Sequence, residues 1–434
     1  MLINGGSPAA PCLAGVTPVA PNGQSEAYPP ALVIGTGITA LGVVRALGRA
    51  GIPRFVLSPP PGPTCWSRWY RRPPGGEYLH DPERLGEYLD RLPLERGVPI
   101  PCSDDAALAI ARLPAHLKAR FPSSSAAAEV IAKLVDKGAF LDLLREHEVP
   151  HPRTVVLEGA PESPDQWDMD LERAFVKPRN SQEFAQRFGV KAIRPQGSDD
   201  LVTKLRWLAT LGVSTVVQEY VPGPATNHYF VDGFMDAHGK VRACLSRKRL
   251  RMFPPDFGNS SAITSIQPYE AEPAIRVLER LLTSIGYRGV YSAEFKRDER
   301  DGVFRLLEIN ARPWWYVEFA ARCGVDVVMM AYRDALGMQV ADAFDFDVGR
   351  QMVYPVYDAA AWEGLRAAGE ADLADQVRSL LTSHWATFAL DDPAPGMTNA
   401  AAIASRVIKR KLLGDPRASR REPTGALAPS PGAF

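Results

Sequence analysis

The sequence predicts an α/β protein, α+β in part, and three observations carry that prediction. Ala31-Leu-Val-Ile-Gly35 is a short apolar run, followed by a tight Gly35-Thr-Gly37-Ile-Thr-Ala40 turn, a helical stretch from Leu41 to Ala50 closed by Gly51, and a second apolar run Phe55-Val-Leu57. This is a βαβ start to a parallel sheet. Further on, Gly289 to Lys296 and Phe304 to Asn310 are rich in Val, Tyr, Phe, Leu and Ile, and Asp301-Gly302 lies in the polar segment between them, which predicts an antiparallel hairpin. Between these regions, short strand-like runs bounded by Pro and Gly replace the strand–helix alternation of the start.

The elements follow in order. A helical pattern from Ser125 to Val149 ends at Pro150, and Thr154-Val-Val-Leu157 opens a new strand after His151-Pro152, so a domain boundary is expected near there. Phe175-Val-Lys177-Pro178 reads as a strand end, Ser198 to Leu211 as a helix begun by Ser-Asp-Asp, and Thr215 to Val221 as a strand closed by Pro222-Gly223. Tyr229 to Phe234 and Lys240 to Ser246 form a further antiparallel pair around Asp236-Ala-His-Gly239. Pro273 to Ile285 is a helix leading into the hairpin, and Val325 to Leu336 a helix after it. Residues 1–30 and 413–434, rich in Pro, Gly, Ala and Ser, read as flexible tails. The span 341–412, with Trp362 and Trp385, is apolar enough to fold, and no function follows from it.

Composition narrows the function. At 434 residues, 46% apolar and 23% charged, the chain is an ordinary globular protein of two to four domains. Fifty basic and fifty acidic residues cancel, which argues against nucleic acid or an anionic membrane as partner. The five cysteines are odd in number and lack a C-x-x-C, so neither a zinc site nor a disulfide framework is indicated. No basic n-region with an apolar h-region opens the chain and no run of about 18 apolar residues occurs, so a soluble, cytoplasmic protein is expected.

Glu294, Glu308 and Asn310 are acids and an amide on strands whose other residues are apolar. Period-2 alternation puts Glu308 and Asn310 on one face, and pairing of Glu294 with Glu308 would set two carboxylates roughly 5 Å apart. Like charges so placed repel, unless a divalent cation lies between them. Oxygens of Glu and Asn are the ligands hard Mg²⁺ accepts, alongside waters and substrate phosphates. Arg312 would then stabilise phosphoryl oxygens on the same face. The competing reading, two solvated acids on an ordinary hairpin, meets the depletion of acidic residues in strands.

Other candidates each have a plainer alternative. Lys177 at a strand end can bury its stem and aim its ammonium at phosphate, or simply snorkel to solvent. Lys137, in Asp-Lys-Gly on an amphipathic helix, reads alone as a solvated lysine. The backbone of Gln218-Glu219-Tyr220-Val221 can pair with an adenine while Glu219 accepts from a ribose hydroxyl, or the segment is a plain strand end. Arg247-Lys248-Arg249-Leu-Arg251 puts four cations in five residues ahead of an aromatic, Gly-containing loop, which suits an anionic substrate better than a solvated face does. The Gly35-x-Gly37-x-x-Ala40 turn sits where a dinucleotide fingerprint would, but no Asp or Glu follows at the end of the second strand to hold a ribose. Packing of helix on sheet, or presentation of N–H groups to a small anion, suits it better.

In this order these segments resemble the ATP-grasp superfamily, specifically its carboxylate–amine ligases of the D-aspartate ligase-like kind. The resemblance runs from about Ala31 to Gly337 and rests on the N-terminal βαβ, Val135-Asp-Lys137, Phe175-Val-Lys177-Pro178, Gln218 to Gly223, the basic run with Met-Phe-Pro-Pro-Asp-Phe-Gly258, and Ala293-Glu294-Phe-Lys with Leu307-Glu308-Ile-Asn310-Ala-Arg312. It implies a Rossmann-like pre-ATP-grasp domain over 31–128 and an ATP-grasp domain over 129–340, with its lid at about 154–220. It further implies that Glu294, Glu308 and Asn310 bind Mg²⁺, with Mn²⁺ as the alternative ion, and that Lys137 and Lys177 contact ATP phosphates. Gln218, Glu219, Tyr220 and Val221 would hold adenine and ribose, with Asn227 or His228 a further ribose candidate. Arg312, Arg249 and Arg247 would steady the transferred phosphate. The implied activity joins a small carboxylate to an amine through an acyl phosphate, with release of ADP, in a protein that a homodimer would suit. One departure is the stretch Arg179 to Lys191, which has a single Gly where such lids are glycine-rich, so Ser181, Gln182 or Lys191 would have to cover the phosphates. Two rival activities are an NAD-dependent oxidoreductase using the Gly35 turn and a non-catalytic ATP-binding regulatory protein.

Overall fold

The computed structural model describes residues 28–57, 62–76, 78, 81–161, 167–179, 192–254, 258–367, 369–370 and 372–401. The lid candidates Ser181, Gln182 and Lys191 and most of both expected tails lie outside the described residues. The end of the expected N-terminal tail is docked: Tyr332 Oη donates to Pro29 O at 2.6 Å, and Val98 N donates to Pro30 O at 2.9 Å.

The chain opens with β1 (Ala31–Ile34), α1 (Gly37–Arg49) and β2 (Arg54–Leu57), as expected. After α2 (Leu85–Arg91), β3 (Val98–Pro101) joins the other edge of β1, giving a parallel sheet of order β2-β1-β3. The Gly-rich turn packs elements together. Gly35 has φ +136° and lies so close to Cys102, just past β3, that a Cβ would meet its Cβ at 2.8 Å. No feature of the turn supports the dinucleotide reading. Ser103 then caps α3 (Asp104–Ala111), its hydroxyl accepting from Ala106 N. The short α4 (Ala115–Arg120) follows.

The helical pattern expected from Ser125 to Val149 is two helices, α5 (Ala128–Val135) and α6 (Lys137–Glu146). Asp136 separates them because its carboxylate accepts from Ala139 N at 2.8 Å, a cap that competes with helix continuation. Lys137 is thereby moved from a mid-helix surface to the first position of α6. A small antiparallel sheet follows from β4 (Thr154–Leu157), β5 (Phe175–Pro178) and β6 (Thr215–Gln218), with β6 central and α7 (Ser198–Thr210) burying Leu201, Leu205 and Leu208 against it.

The large sheet has seven strands, ordered β11-β10-β7-β8-β9-β12-β13. They are β7 (His228–Met235), β8 (Val241–Phe253), β9 (Asn259–Ser265), β10 (Gly289–Arg297), β11 (Phe304–Asn310), β12 (Gln351–Val353) and β13 (His384–Trp385). Val231, Tyr291, Ala293 and Phe295 on one face pack on α5, α6 and α8 (Glu272–Ser284), whose Leu278, Leu281 and Leu282 are buried at about 1.5–3 kcal/mol each. Phe234, Ala243, Leu245 and Val290 on the other face pack on α1, α9 (Val317–Arg322) and α10 (Val327–Ala335). The described part of the span 341–412 supplies β12 and β13 to this sheet, together with α11 (Pro355–Ala367) and α12 (Leu373–Thr382). Among the described residues no helix is long and apolar enough to cross a membrane.

One buried charge joins three regions. Arg45 of α1 is fully buried; its Nη1 donates to Glu318 at 2.8 Å and its Nε to Asp392 at 3.0 Å, while Nη2 donates to the carbonyls of Thr387 and Asp392. Removing Arg45 leaves the buried Asp392 carboxylate without its ion-pair partner, while Glu318 keeps Arg49 and Arg322. Arg45→Met is therefore expected to destabilise the protein by about 3–5 kcal/mol, read as a lower urea midpoint in equilibrium unfolding.

Candidate active site

The edge of the large sheet at β11, the α5–α6 break and the small sheet enclose a cleft, part of it open to solvent. Lys137, Lys177, Gln218, Glu308 and Asn310 line it, drawn from four separate stretches of sequence, and so do Asp104, His151 and Thr154. Within it, Gln218 spans the small sheet. Its Oε1 accepts from Lys177 Nζ of β5 at 3.1 Å and its Nε2 donates to Thr154 Oγ1 of β4 at 3.1 Å.

The hairpin has the expected register: Glu294 stands opposite Glu308 and Ser292 opposite Asn310, with an irregularity directly after Glu294. Glu294 is half-buried deeper in the sheet. Its Oε1 accepts from His228 Nδ1 at 2.7 Å and from Arg249 Nη2 at 3.0 Å. Burial opposes its ionisation, but the Arg249 guanidinium and then the His228 hydrogen bond hold its carboxyl well below the usual range. His228 has its pKa pushed down to about 4, by burial first and then by Arg249, so it is neutral; Nδ1 carries the proton, and Nε2 is buried without a hydrogen-bond partner among the described residues.

Glu308 is exposed to the cleft; among the described residues it accepts from Asn310 Nδ2 alone, at 3.3 Å, and no basic side chain forms an ion pair with it. Among the described residues no three His, Cys, Asp or Glu side chains gather around one point. Two carboxylates and an amide thus share one face of the hairpin, with Asn310 Oδ1 accepting from Arg312 Nη2 and its Nδ2 donating to Glu308. That set fits Mg²⁺, which keeps waters and takes substrate phosphates for its other positions.

Both lysines are suited to anions. Burial lowers the pKa of Lys177, which Glu308 and Glu294 partly restore. Lys137 is lowered to about 8, by burial first and by the nearby Lys177 second. A polyphosphate between them would relieve both effects.

The remaining candidates do not gather in the cleft. Glu219 is buried and its carboxylate is committed: Oε1 accepts from Arg153 N at 2.9 Å, and Arg300 Nη1 donates to Oε2 at 3.2 Å. This occupancy removes the group expected for a ribose hydroxyl. Tyr220 lies between Arg173 and Lys296, whose Nζ is 4.0 Å from its ring centroid, and Val221 is buried. Asn227 donates to Arg297 O at 3.2 Å; Gly223, at φ +125°, lets its Nδ2 approach to where a Cβ would be 2.5 Å away.

The basic run departs most from expectation. It belongs to β8, which continues to Phe253 and does not end near Ser246. Every second residue turns to the face carrying Glu294: Arg247 pairs with Asp232 at 2.5 Å and lies over Phe230 at 3.8 Å, Arg249 pairs with Glu294, and Arg251 pairs with Asp358 at 2.8 Å. Arg247 and Arg249 are thus buried counter-charges of the sheet and not open anion contacts. Arg312 is also bonded, through Nε to Asp104 at 2.8 Å and through Nη2 to Asn310 Oδ1 at 2.9 Å. Asp104, Thr154 and His151 carried no sequence signal, because nothing local marks a residue that tertiary packing brings to the cleft.

No protein-family model matches the chain. Among solved structures it is similar to N5-carboxyaminoimidazole synthetase from Staphylococcus aureus complexed with ADP (TM-score 0.55, 14% identity, 74% of this chain and 80% of that one). It is also similar to L-amino acid ligase from Bacillus licheniformis (TM-score 0.54, 13% identity, 71% and 75% of the chains). A third is the biotin carboxylase domain of the Hydrogenobacter thermophilus 2-oxoglutarate carboxylase, in complex with MgADP (TM-score 0.54, 16% identity, 75% and 74%). These likenesses show the ATP-grasp fold. In sequence the chain resembles a D-aspartate ligase of Enterococcus faecium (strain Aus0004), 26% identical over 223 residues, and spans about half the length of that relative, 52%, with 49% of its own.

The depressed Lys137 sets a pH dependence. A bound phosphate would favour its charged form, which is lost as pH rises through about 8, so affinity for a polyphosphate such as ATP, if this cleft takes one, is expected to fall above that pH, toward about tenfold per unit. Lys137→Arg, charged throughout, should flatten the profile between pH 7 and 9.5 in fluorescence anisotropy with a labelled ATP.

Proposed function

We propose that this protein is an ATP- and Mg²⁺-dependent carboxylate–amine ligase. The observation that carries the reading is the convergence of Lys137, Lys177, Gln218, Glu308 and Asn310 on one cleft. The fold is shared with proteins whose structures hold ADP or MgADP, and the sequence resembles a D-aspartate ligase.

In this reading Lys137 and Lys177 hold the phosphate chain, while the backbone of Gln218 to Val221 holds adenine. A bound Mg²⁺ would neutralise the charge that develops on the phosphoryl oxygens, and Glu294, Glu308 and Asn310 would hold it. A carboxylate oxygen of the first substrate attacks the γ-phosphorus, the bond to the β-phosphate oxygen breaks, and ADP leaves. The amine then attacks the acyl carbon; phosphate departs, the amine loses a proton, and an amide remains. The protein's part is to position both groups and exclude water. The substrates are a small carboxylate, such as an amino acid, and an amine. A homodimer, the cytoplasm and substitution of Mn²⁺ for Mg²⁺ belong to the same reading.

Glu308→Gln keeps the shape of the side chain and removes its charge. It is expected to abolish ADP release while leaving the thermal unfolding midpoint within a few degrees. A wild-type screen over paired carboxylates and amines, with mass-spectrometric product detection, tests the activity itself; tight ATP binding with no ADP from any pair would support a regulatory protein.

A further inference from the structure

Arg312 is more heavily bonded than a residue waiting for phosphate needs to be. Nε donates to Asp104 Oδ1 at 2.8 Å and Nη2 to Asp104 Oδ2 at 3.2 Å, a bidentate pair reaching from the first turn of α3 in the N-terminal domain to the end of the hairpin. The same Nη2 donates to Asn310 Oδ1 at 2.9 Å, and Nη1 donates to Pro313 O at 3.0 Å. Asn310 Nδ2 in turn donates to Glu308 Oε1 at 3.3 Å. A continuous row therefore runs Asp104, Arg312, Asn310, Glu308, and Asp104 itself lines the cleft beside Lys137 and Asn310.

This row fixes an orientation that a lone Asn would not have. An amide can turn over and exchange its oxygen for its nitrogen. With Arg312 donating on one side and Glu308 accepting on the other, one orientation satisfies both, and it directs Oδ1 to the guanidinium side. Asp104 fixes the fork of Arg312 by occupying two of its N–H groups, with Pro313 O holding a third; the two side chains of the pair are 16% and 33% exposed.

We infer that Asp104 is a positioning residue for the cation and phosphate face: through Arg312 it sets Asn310 and Glu308, so that the N-terminal domain helps to build the nucleotide site. This rests on the reading of the cleft as a Mg²⁺–ATP site. Outer partners that orient metal ligands typically change metal affinity by about 10- to 100-fold when removed. Asp105, its neighbour, makes no hydrogen bond to Arg312 among the described residues and serves as the control.

The test measures binding of a fluorescent ATP analogue to the full chain as Mg²⁺ is titrated, with thermal unfolding run on each variant. Asp104→Asn should raise the Mg²⁺ concentration for half-maximal binding about tenfold, with Asp105→Asn unchanged and all unfolding midpoints close to wild type. Arg312→Lys, which keeps the charge but loses the fork, should give a similar shift, and adding Asp104→Asn to it should change little more. Mg²⁺-dependent binding in wild type with Asp104→Asn equal to Asp105→Asn overturns the inference, and so does full additivity of the two substitutions. Absence of any Mg²⁺-dependent binding in wild type overturns the reading of the cleft itself.

Discussion

Two carboxylates facing each other across one rung of a hairpin are the constraint around which the large sheet is arranged. Glu294 and Glu308 are direct partners in the ladder, so their repulsion has to be met by something. On the inner side it is met by protein. Arg249, itself buried, holds Glu294 ionised, and His228 adds a neutral donor without adding charge. On the outer side it is left open: Glu308 faces the cleft, hydrogen-bonded to Asn310 and with no ion pair among the described residues. The hairpin thus presents one compensated and one uncompensated carboxylate, an arrangement that favours an incoming cation without depending on it for folding.

The same logic explains why the neighbouring strand is so basic. Arg247, Arg249 and Arg251 each meet an acid brought by a different element: Asp232 from β7, Glu294 from β10 and Asp358 from α11. Buried pairs of this kind roughly break even against desolvation. Their consequence is register, because a slip of one residue would turn every arginine to the opposite face and strand its acid. Asp358 also accepts from Ser261 Oγ at 3.0 Å, so the C-terminal helices are tied to the face that carries Glu294, though they add no residue to the cleft.

What was legible in the sequence was local. The βαβ start, the hairpin and the face shared by Glu308 and Asn310 follow from periodicity and turn residues, which act over a few positions. Lys137 was legible only through the ordered set of motifs, since the cap at Asp136 that turns a plain surface lysine into a cleft residue looks like any acid in a helix. The arginine run was misread because charge runs usually mark solvent, and the acids that bury this one lie 15, 45 and 107 residues away. Asp104 was invisible for the same reason. It meets Arg312 across 208 residues of chain, and no short window contains both.

The charges of the cleft bear on what it can hold. Burial depresses the protonation of both Lys137 and Lys177, Lys177 further depresses that of Lys137, and Glu308 offsets only part of this. Glu294 is already balanced by Arg249, and Arg312 by Asp104, so neither supplies net charge to a ligand. What remains is two ammonium groups and the Glu308 carboxylate in a space lined also by polar Gln218, Thr154 and Asn310 and by apolar Leu, Val, Ile and Phe side chains. A ligand bearing several negative charges and a hard cation satisfies both: the anion is drawn to the lysines, and the cation bridges it to Glu308. A neutral or singly charged ligand would leave either the lysines or the carboxylate unmatched, and for this reason the cleft is suited to a metal-bound nucleoside polyphosphate more than to a dinucleotide.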